Sequence, residues 1–192
     1  MLKSELRKKY MQKRKALSSD EAFLLSEKVF KNFIDYFKPI SGQNVHIFIP
    51  ITKFKEIDTK IFIDYFLNRD INVFVPKIVD AKLISVQIFN DTQFETNNWG
   101  ISEPVSNEDS GENYLHYVIT PLLYCDQKGN RVGYGKGFYD AFFENISQDS
   151  KKIGINYFNP DEIVDDIYEN DIPLDYLVTP TEVLSFLTKG LE

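Results

Sequence analysis

Between Asp126 and Phe143 the chain reads Asp-Gln-Lys-Gly-Asn-Arg-Val-Gly-Tyr-Gly-Lys-Gly-Phe-Tyr-Asp-Ala-Phe-Phe, and no other stretch limits the fold so tightly. It holds four of the nine glycines, Gly129, Gly133, Gly135 and Gly137, a density that a regular helix or strand tolerates poorly. The chain must therefore bend repeatedly here. Residues without a Cβ at alternate positions let successive backbone N–H groups face one concavity, which suits an anion. A helix is expected from Phe138, and its N-terminal N–H groups would face the same space. Arg131 and Lys136 add positive charge, and Asp140 is placed to hold a divalent metal beside a phosphate. No Gly-x-x-x-x-Gly-Lys-Ser/Thr can be read from the stretch, so it is not a Walker A loop. Nor is it a dinucleotide fingerprint, whose third glycine would fall on Phe138. A plain glycine-rich turn is the bland alternative. Two cations and a carboxylate within so few residues favour a polyphosphate site.

The surrounding chain fits a cytosolic protein. Its 192 residues suit a single domain spanning 1–192, and no apolar run approaches the ~20 residues of a membrane span. The start is basic without an apolar signal core, and the lone cysteine, Cys125, allows neither an internal disulfide nor a Cys-based zinc site. Net charge is −7, yet residues 1–15 carry seven Lys or Arg and one Glu. A basic arm can bind nucleic acid, but so acidic a body would repel a phosphate backbone. The arm is better read as serving a compact anion in the protein's own site, with no nucleic-acid and no membrane partner. A monomer is the expected state.

Periodicity then orders the chain. Residues 2–17 read as a helix with Leu2, Leu6, Tyr10 and Leu17 on a thin apolar stripe, and Lys3 and Arg7 four apart on one face. Ser18 three residues before Glu21 is a capping box for a second helix running to about Phe37. Residues 45–49 and 72–76 read as strands joined through a helix, a unit whose right-handed crossover makes them parallel. The loop holding Ile51 and Glu56 leaves a carboxyl end of that sheet, where ligands bind. The competing role for Glu56 is to stabilise the start of the following helix. Residues 83–89 alternate like an edge strand, 94–104 look irregular around Trp99, and further strands are expected at 117–120, 152–156 and 176–179. Trp99 is either a lid on the core or a flat surface for a ring. His46 and His116 belong to no ligand pattern. Among the late acidic residues, Asp175, just before a strand, is the best placed to meet a metal near Asp140.

These landmarks together resemble the 5-formyltetrahydrofolate cyclo-ligase (5,10-methenyltetrahydrofolate synthetase) family. The matches are Lys3-Ser-Glu-Leu-Arg7, the Pro50–Glu56 loop, Trp99-Gly-Ile-Ser-Glu-Pro104, Asp126–Asp140 and Leu174-Asp-Tyr-Leu-Val-Thr179. They follow family order, and the Arg131–Asp140 segment is the most specific. The resemblance implies a three-layer α/β/α sandwich with a mainly parallel central sheet. It also implies ring closure of 5-formyltetrahydrofolate with ATP and Mg2+, in which the formyl oxygen takes the γ-phosphoryl group before N10 attacks the activated carbon. On that resemblance Lys3, Ser4, Glu5, Leu6 and Arg7, with Arg131, Val132, Gly133, Tyr134, Gly135, Lys136, Gly137, Phe138 and Tyr139, are expected to bind ATP. Arg131 and Lys136 would assist the chemistry. Tyr134 to Phe138 would also border the folate, together with Ile51, Glu56 and Trp99, and Asp140 and Asp175 would hold magnesium. Two positions depart from the family pattern. Ala141 stands where many relatives carry Arg, removing a possible phosphate contact, and Phe138 replaces a Tyr.

Overall fold

The computed structural model describes residues 1–97 and 101–187. Trp99 therefore lies outside the described residues. Helices α1 (Lys3–Ala16) and α2 (Ser19–Phe37) precede β1 (Asn44–Ile47), a 3-10 turn (Thr52–Phe54), α3 (Lys60–Leu67), β2 (Asn72–Val79) and β3 (Lys82–Ile88). Then come β4 (Phe94–Thr96), β5 (Ser102–Pro104), β6 (Tyr117–Thr120), β7 (Tyr124–Cys125), β8 (Arg131–Val132) and α4 (Phe138–Phe143). Strands β9 (Lys151–Ile155), β10 (Tyr176–Val178) and β11 (Val183–Ser185) close the chain.

The central sheet runs β11-β10-β9-β6-β1-β2-β3. Its five inner strands pair parallel, while β3 and β11 flank them antiparallel. This is the mainly parallel α/β sheet that the strand–helix–strand spacing predicts. Side chains alternate across it, as period-two strands require. Val45, Ile47, Tyr117, Ile119, Ile153, Ile155, Tyr176 and Val178 join the core beneath α2 and α3, where Phe33, Phe62 and Phe66 pack. Val118 and Leu177 face the other way, toward α4, with Leu122, Phe143 and Leu174. A third cluster seats α1 through Leu6 and Tyr10 on Leu123, Tyr124 and Val132.

Local chemistry explains the element ends. Ser18 Oγ accepts the Glu21 N–H at 3.1 Å, and Glu21 accepts the Ser18 N–H at 2.7 Å, so the expected capping box is present. His46 is fully buried beside Phe142, with ring centroids 4.7 Å apart, while His116 Nδ1 accepts the Asn44 N–H at 3.0 Å. Both histidines are structural, as expected. The stretch 94–104 differs from its irregular reading, because β4 and β5 pair as a short antiparallel ladder. Lys77 of β2 is buried beneath it and donates to the Pro104 carbonyl at 2.6 Å.

Candidate active site

The glycine-rich stretch begins as the turn of a β7–β8 hairpin. Asp126 organises that turn, its Oδ1 accepting the N–H groups of Lys128 and Asn130, both at 2.9 Å. After β8 the chain carries Gly135 and Gly137 at φ +88 and +71, a region closed to most side chains. At Gly135 a Cβ would also stand 3.3 Å from the Arg7 guanidinium. The backbone angle requires glycine there, and a Cβ would also press on the Arg7 side chain. Gly137 caps α4, which runs six residues, so its dipole is short.

Helix α1 lies across this loop. Arg7 Nε donates to the Gly133 carbonyl at 2.9 Å, placing the guanidinium against the loop backbone. Lys3, on the same face, is buried and bonded to Asp171, with its ammonium 4.9 Å from the Tyr168 ring centroid. Ser4 and Glu5 are exposed, and Glu5 accepts the Leu2 N–H at 2.9 Å. Leu6 and Val132 are completely buried; they hold the helix to the hairpin rather than facing a ligand. Lys136 is exposed and has no partner among the described residues, while Phe138 is half-buried at the start of α4.

Arg131 departs from a simple phosphate contact. Its guanidinium pairs with Asp140 at 2.6 Å and sits 5.0 Å from the Phe143 ring centroid, with its side chain only 6% exposed. Nη1 of Arg131 and the Tyr139 hydroxyl are buried without a hydrogen-bond partner among the described residues. Burial pushes the Tyr139 phenol far above its ordinary pKa, and the Glu56 charge adds to the shift. Asp140 Oδ1 also accepts the Ile172 N–H at 3.3 Å. Asp175 stands instead at the amino end of β10, where its Oδ2 accepts from the Lys152 N–H at 2.7 Å and pairs with Nζ at 3.1 Å. Of the two carboxylates expected to hold magnesium, Asp140 thus bonds Arg131 and Asp175 bonds Lys152. Among the described residues no three His, Cys, Asp or Glu groups cluster as a metal site.

The loop after β1 supplies the second half of the site. Lys55 takes φ +46 and turns its side chain to the carbonyls of Lys15 and Leu17, which swings the next residue inward. That residue is Glu56, 7% exposed. Its Oε2 accepts the Ile51 N–H at 2.7 Å, and its Oε1 accepts the Tyr134 hydroxyl. Burial raises the Glu56 pKa above the ordinary carboxylate value, and these two hydrogen bonds and the Arg14 charge oppose it. The glycine-rich loop and a desolvated carboxylate are thus one hydrogen bond apart, joined by Tyr134, whose ring stacks on Phe54 at 5.6 Å.

Arg14, which sequence reading passed over, belongs to this cluster. The signal was its place four residues beyond Tyr10, on the buried stripe Lys3, Leu6, Tyr10 and Arg14.

Comparison with known proteins shows the family of the chain. A family model described as the 5-formyltetrahydrofolate cyclo-ligase family matches residues 1–180. A Schizosaccharomyces pombe protein described as a probable 5-formyltetrahydrofolate cyclo-ligase is 32% identical over 159 residues, covering 74% of this chain and 77% of its own. The Mycoplasma pneumoniae 5-formyltetrahydrofolate cyclo-ligase is 29% identical over 184 residues, covering 93% and 98%. Among solved structures, the Aquifex aeolicus 5,10-methenyltetrahydrofolate synthetase superposes with a TM-score of 0.84 at 29% identity, covering 100% of this chain and 97% of that one.

Proposed function

Because the chain belongs to the 5-formyltetrahydrofolate cyclo-ligase family, we propose that α1, the Glu56 loop and the glycine-rich loop form the site of that family's reaction. The protein is an ATP-dependent cyclo-ligase, converting 5-formyltetrahydrofolate and ATP to 5,10-methenyltetrahydrofolate, ADP and phosphate. The observation that carries the site assignment is the Tyr134–Glu56 hydrogen bond, which joins an anion-binding loop to a buried carboxylate.

In this reading the polyphosphate lies along Gly133–Gly137, with Arg7 on one side and Lys136 on the other. Lys136 is free to meet the phosphate group being transferred. Glu56 and Ile51 face the folate, where a carboxylate suits the N–H groups of the pterin. The formyl oxygen attacks the γ-phosphorus, and the bond to the ADP oxygen breaks. N10 then closes on the activated carbon and phosphate leaves. Positioning and charge neutralisation are the protein's main contributions to such a transfer. Burial of Glu56 and Tyr139 keeps that region poor in water, which strengthens both.

A magnesium ion fits the loop in part. Mg2+ commonly takes one or two carboxylates and completes its shell with phosphate and water, so Asp140 at the loop's end is sufficient as a protein ligand. When bound, the ion would neutralise phosphate charge. Asp140 and Asp175 each hold a cation, Arg131 at 2.6 Å and Lys152 at 3.1 Å, which either would exchange to reach the ion. The reading takes residues 1–192 as one cytoplasmic, monomeric unit with no nucleic-acid partner. No helix among the described residues is long and apolar enough to cross a membrane.

The direct test is the absorbance of methenyl-folate on mixing purified protein with 5-formyltetrahydrofolate, ATP and Mg2+. An ATP-dependent rise is expected, abolished by a chelator and restored by magnesium. Folded protein that gives no such signal would refute the reading.

A further inference from the structure

Arg14 is 2% exposed on the inward stripe of α1, remote in sequence from both loops it touches. Its Nη2 donates to the Leu122 carbonyl, and its Nη1 donates to the Tyr134 hydroxyl at 3.1 Å. That hydroxyl bonds Glu56 Oε1 in turn. Chemistry fixes the direction of the chain. A guanidinium has donors only, so the Tyr134 oxygen must accept from Arg14, and its single proton is left for Glu56. Each bond polarises the next.

We propose that Arg14 is a positioning residue for folate, holding the Glu56 carboxylate oriented and ionised through the Tyr134 hydroxyl. The inference rests on the reading of Glu56 as the folate carboxylate and goes beyond it, by naming the cation that stands behind its Tyr134 hydrogen bond. Other groups around Glu56 do not supply that charge. Tyr139 from α4 and Tyr157 after β9 are phenols held neutral by burial, and Tyr157 donates to the Glu56 carbonyl at 3.0 Å, not to its carboxylate. Lys55 is turned to the carbonyls of Lys15 and Leu17, and Asp58 bonds the Lys60 N–H at 3.1 Å. Burial raises the Glu56 pKa, and the Ile51 N–H, the Tyr134 hydroxyl and the Arg14 charge oppose it in that order. Removing Arg14 therefore raises the Glu56 pKa further, and the ionised form is lost at a higher pH as the solution is acidified.

The test is initial-rate kinetics against pH for the wild type, Arg14→Gln, Tyr134→Phe and the double variant. In Arg14→Gln the KM for 5-formyltetrahydrofolate should rise about tenfold, the scale of one charge-assisted hydrogen bond. The KM for ATP should stay within about twofold, since the one hydrogen bond shown from Arg14 to Gly133–Gly137 is that to the Tyr134 hydroxyl. The acid limb of kcat/KM for the folate should move to higher pH. Tyr134→Phe keeps the bond from Arg14 to Leu122 while cutting the relay, so it gives the same readout if Arg14→Gln does not fold. The double variant should be no worse than the poorer single one. An unmoved acid limb with unchanged folate KM overturns the inference, as do losses that add. Inactive wild-type protein would remove the cyclo-ligase reading and this inference together. Active wild type with unshifted variants removes this inference alone.

Discussion

Lys136→Ala is expected to lower kcat/KM for ATP about 10- to 150-fold, the loss of one charge-assisted contact of about 1.5–3 kcal/mol. The melting temperature should not move, because the side chain is exposed and unpaired among the described residues. Steady-state rates beside a thermal melt check both halves, and an unchanged kcat/KM would take Lys136 out of phosphate binding. At this scale the sequence is informative where chemistry is local. Alternate glycines announce a loop, and Gly135 is held at positive φ for the reason expected. It is poor where a partner comes from afar. The cation Arg131 is visible in the sequence, but its pairing with Asp140 depends on how the loop folds back onto α4. Arg14 looks like one more solvated charge in a basic helix until Leu122 and Tyr134 are seen to enclose it.

Helix α1 is tied down by the acidic loop that follows β9. Asp171 bonds Lys3, and the Lys3 N–H donates to Asp166 at 2.5 Å. Lys3 can reach a phosphate only by leaving Asp171. Asp171→Asn weakens that competitor while keeping an oxygen for the Tyr168 N–H, now bonded at 2.6 Å. The KM for ATP should fall about threefold, within the modest range of a partly exposed ion pair. A KM that rises instead would mean that Asp171 positions Lys3 rather than competing for it. The long elements were legible because each carries a repeating signal: the Ser18 cap and aromatic stripe of α2, or the alternating residues of β3. Strands β4, β5 and β11 are three residues each, too short for period-two alternation to rise above chance, and their pairing partners decide them.

His46 links the whole molecule to pH. Burial lowers its pKa from 6.5 to about 3, and neither ring nitrogen has a hydrogen-bond partner among the described residues. The unfolded chain therefore binds a proton below pH 6.5 that the folded chain refuses. Stability associated with neutral His46 is complete above that pH and declines toward pH 3, by about 1.4 kcal/mol per unit. Between pH 7.5 and 5 the wild type should lose about 2 kcal/mol more than His46→Phe, which packs on Phe142 without a titratable ring. Urea unfolding at the two pH values measures the difference, and parallel losses would show that other groups dominate. The sheet order also sets when the site can exist. Helix α1 is made first, yet it docks on Leu122–Tyr134 and on the loop up to Asp171. At ribosomal speeds of roughly 5–20 residues per second, about ten to thirty seconds separate the two. During that interval a basic helix waits without its partners. The proposed ATP site is thus assembled late, since a nascent chain bearing only the first strands has α1 but neither the hairpin nor the acidic loop on which it docks.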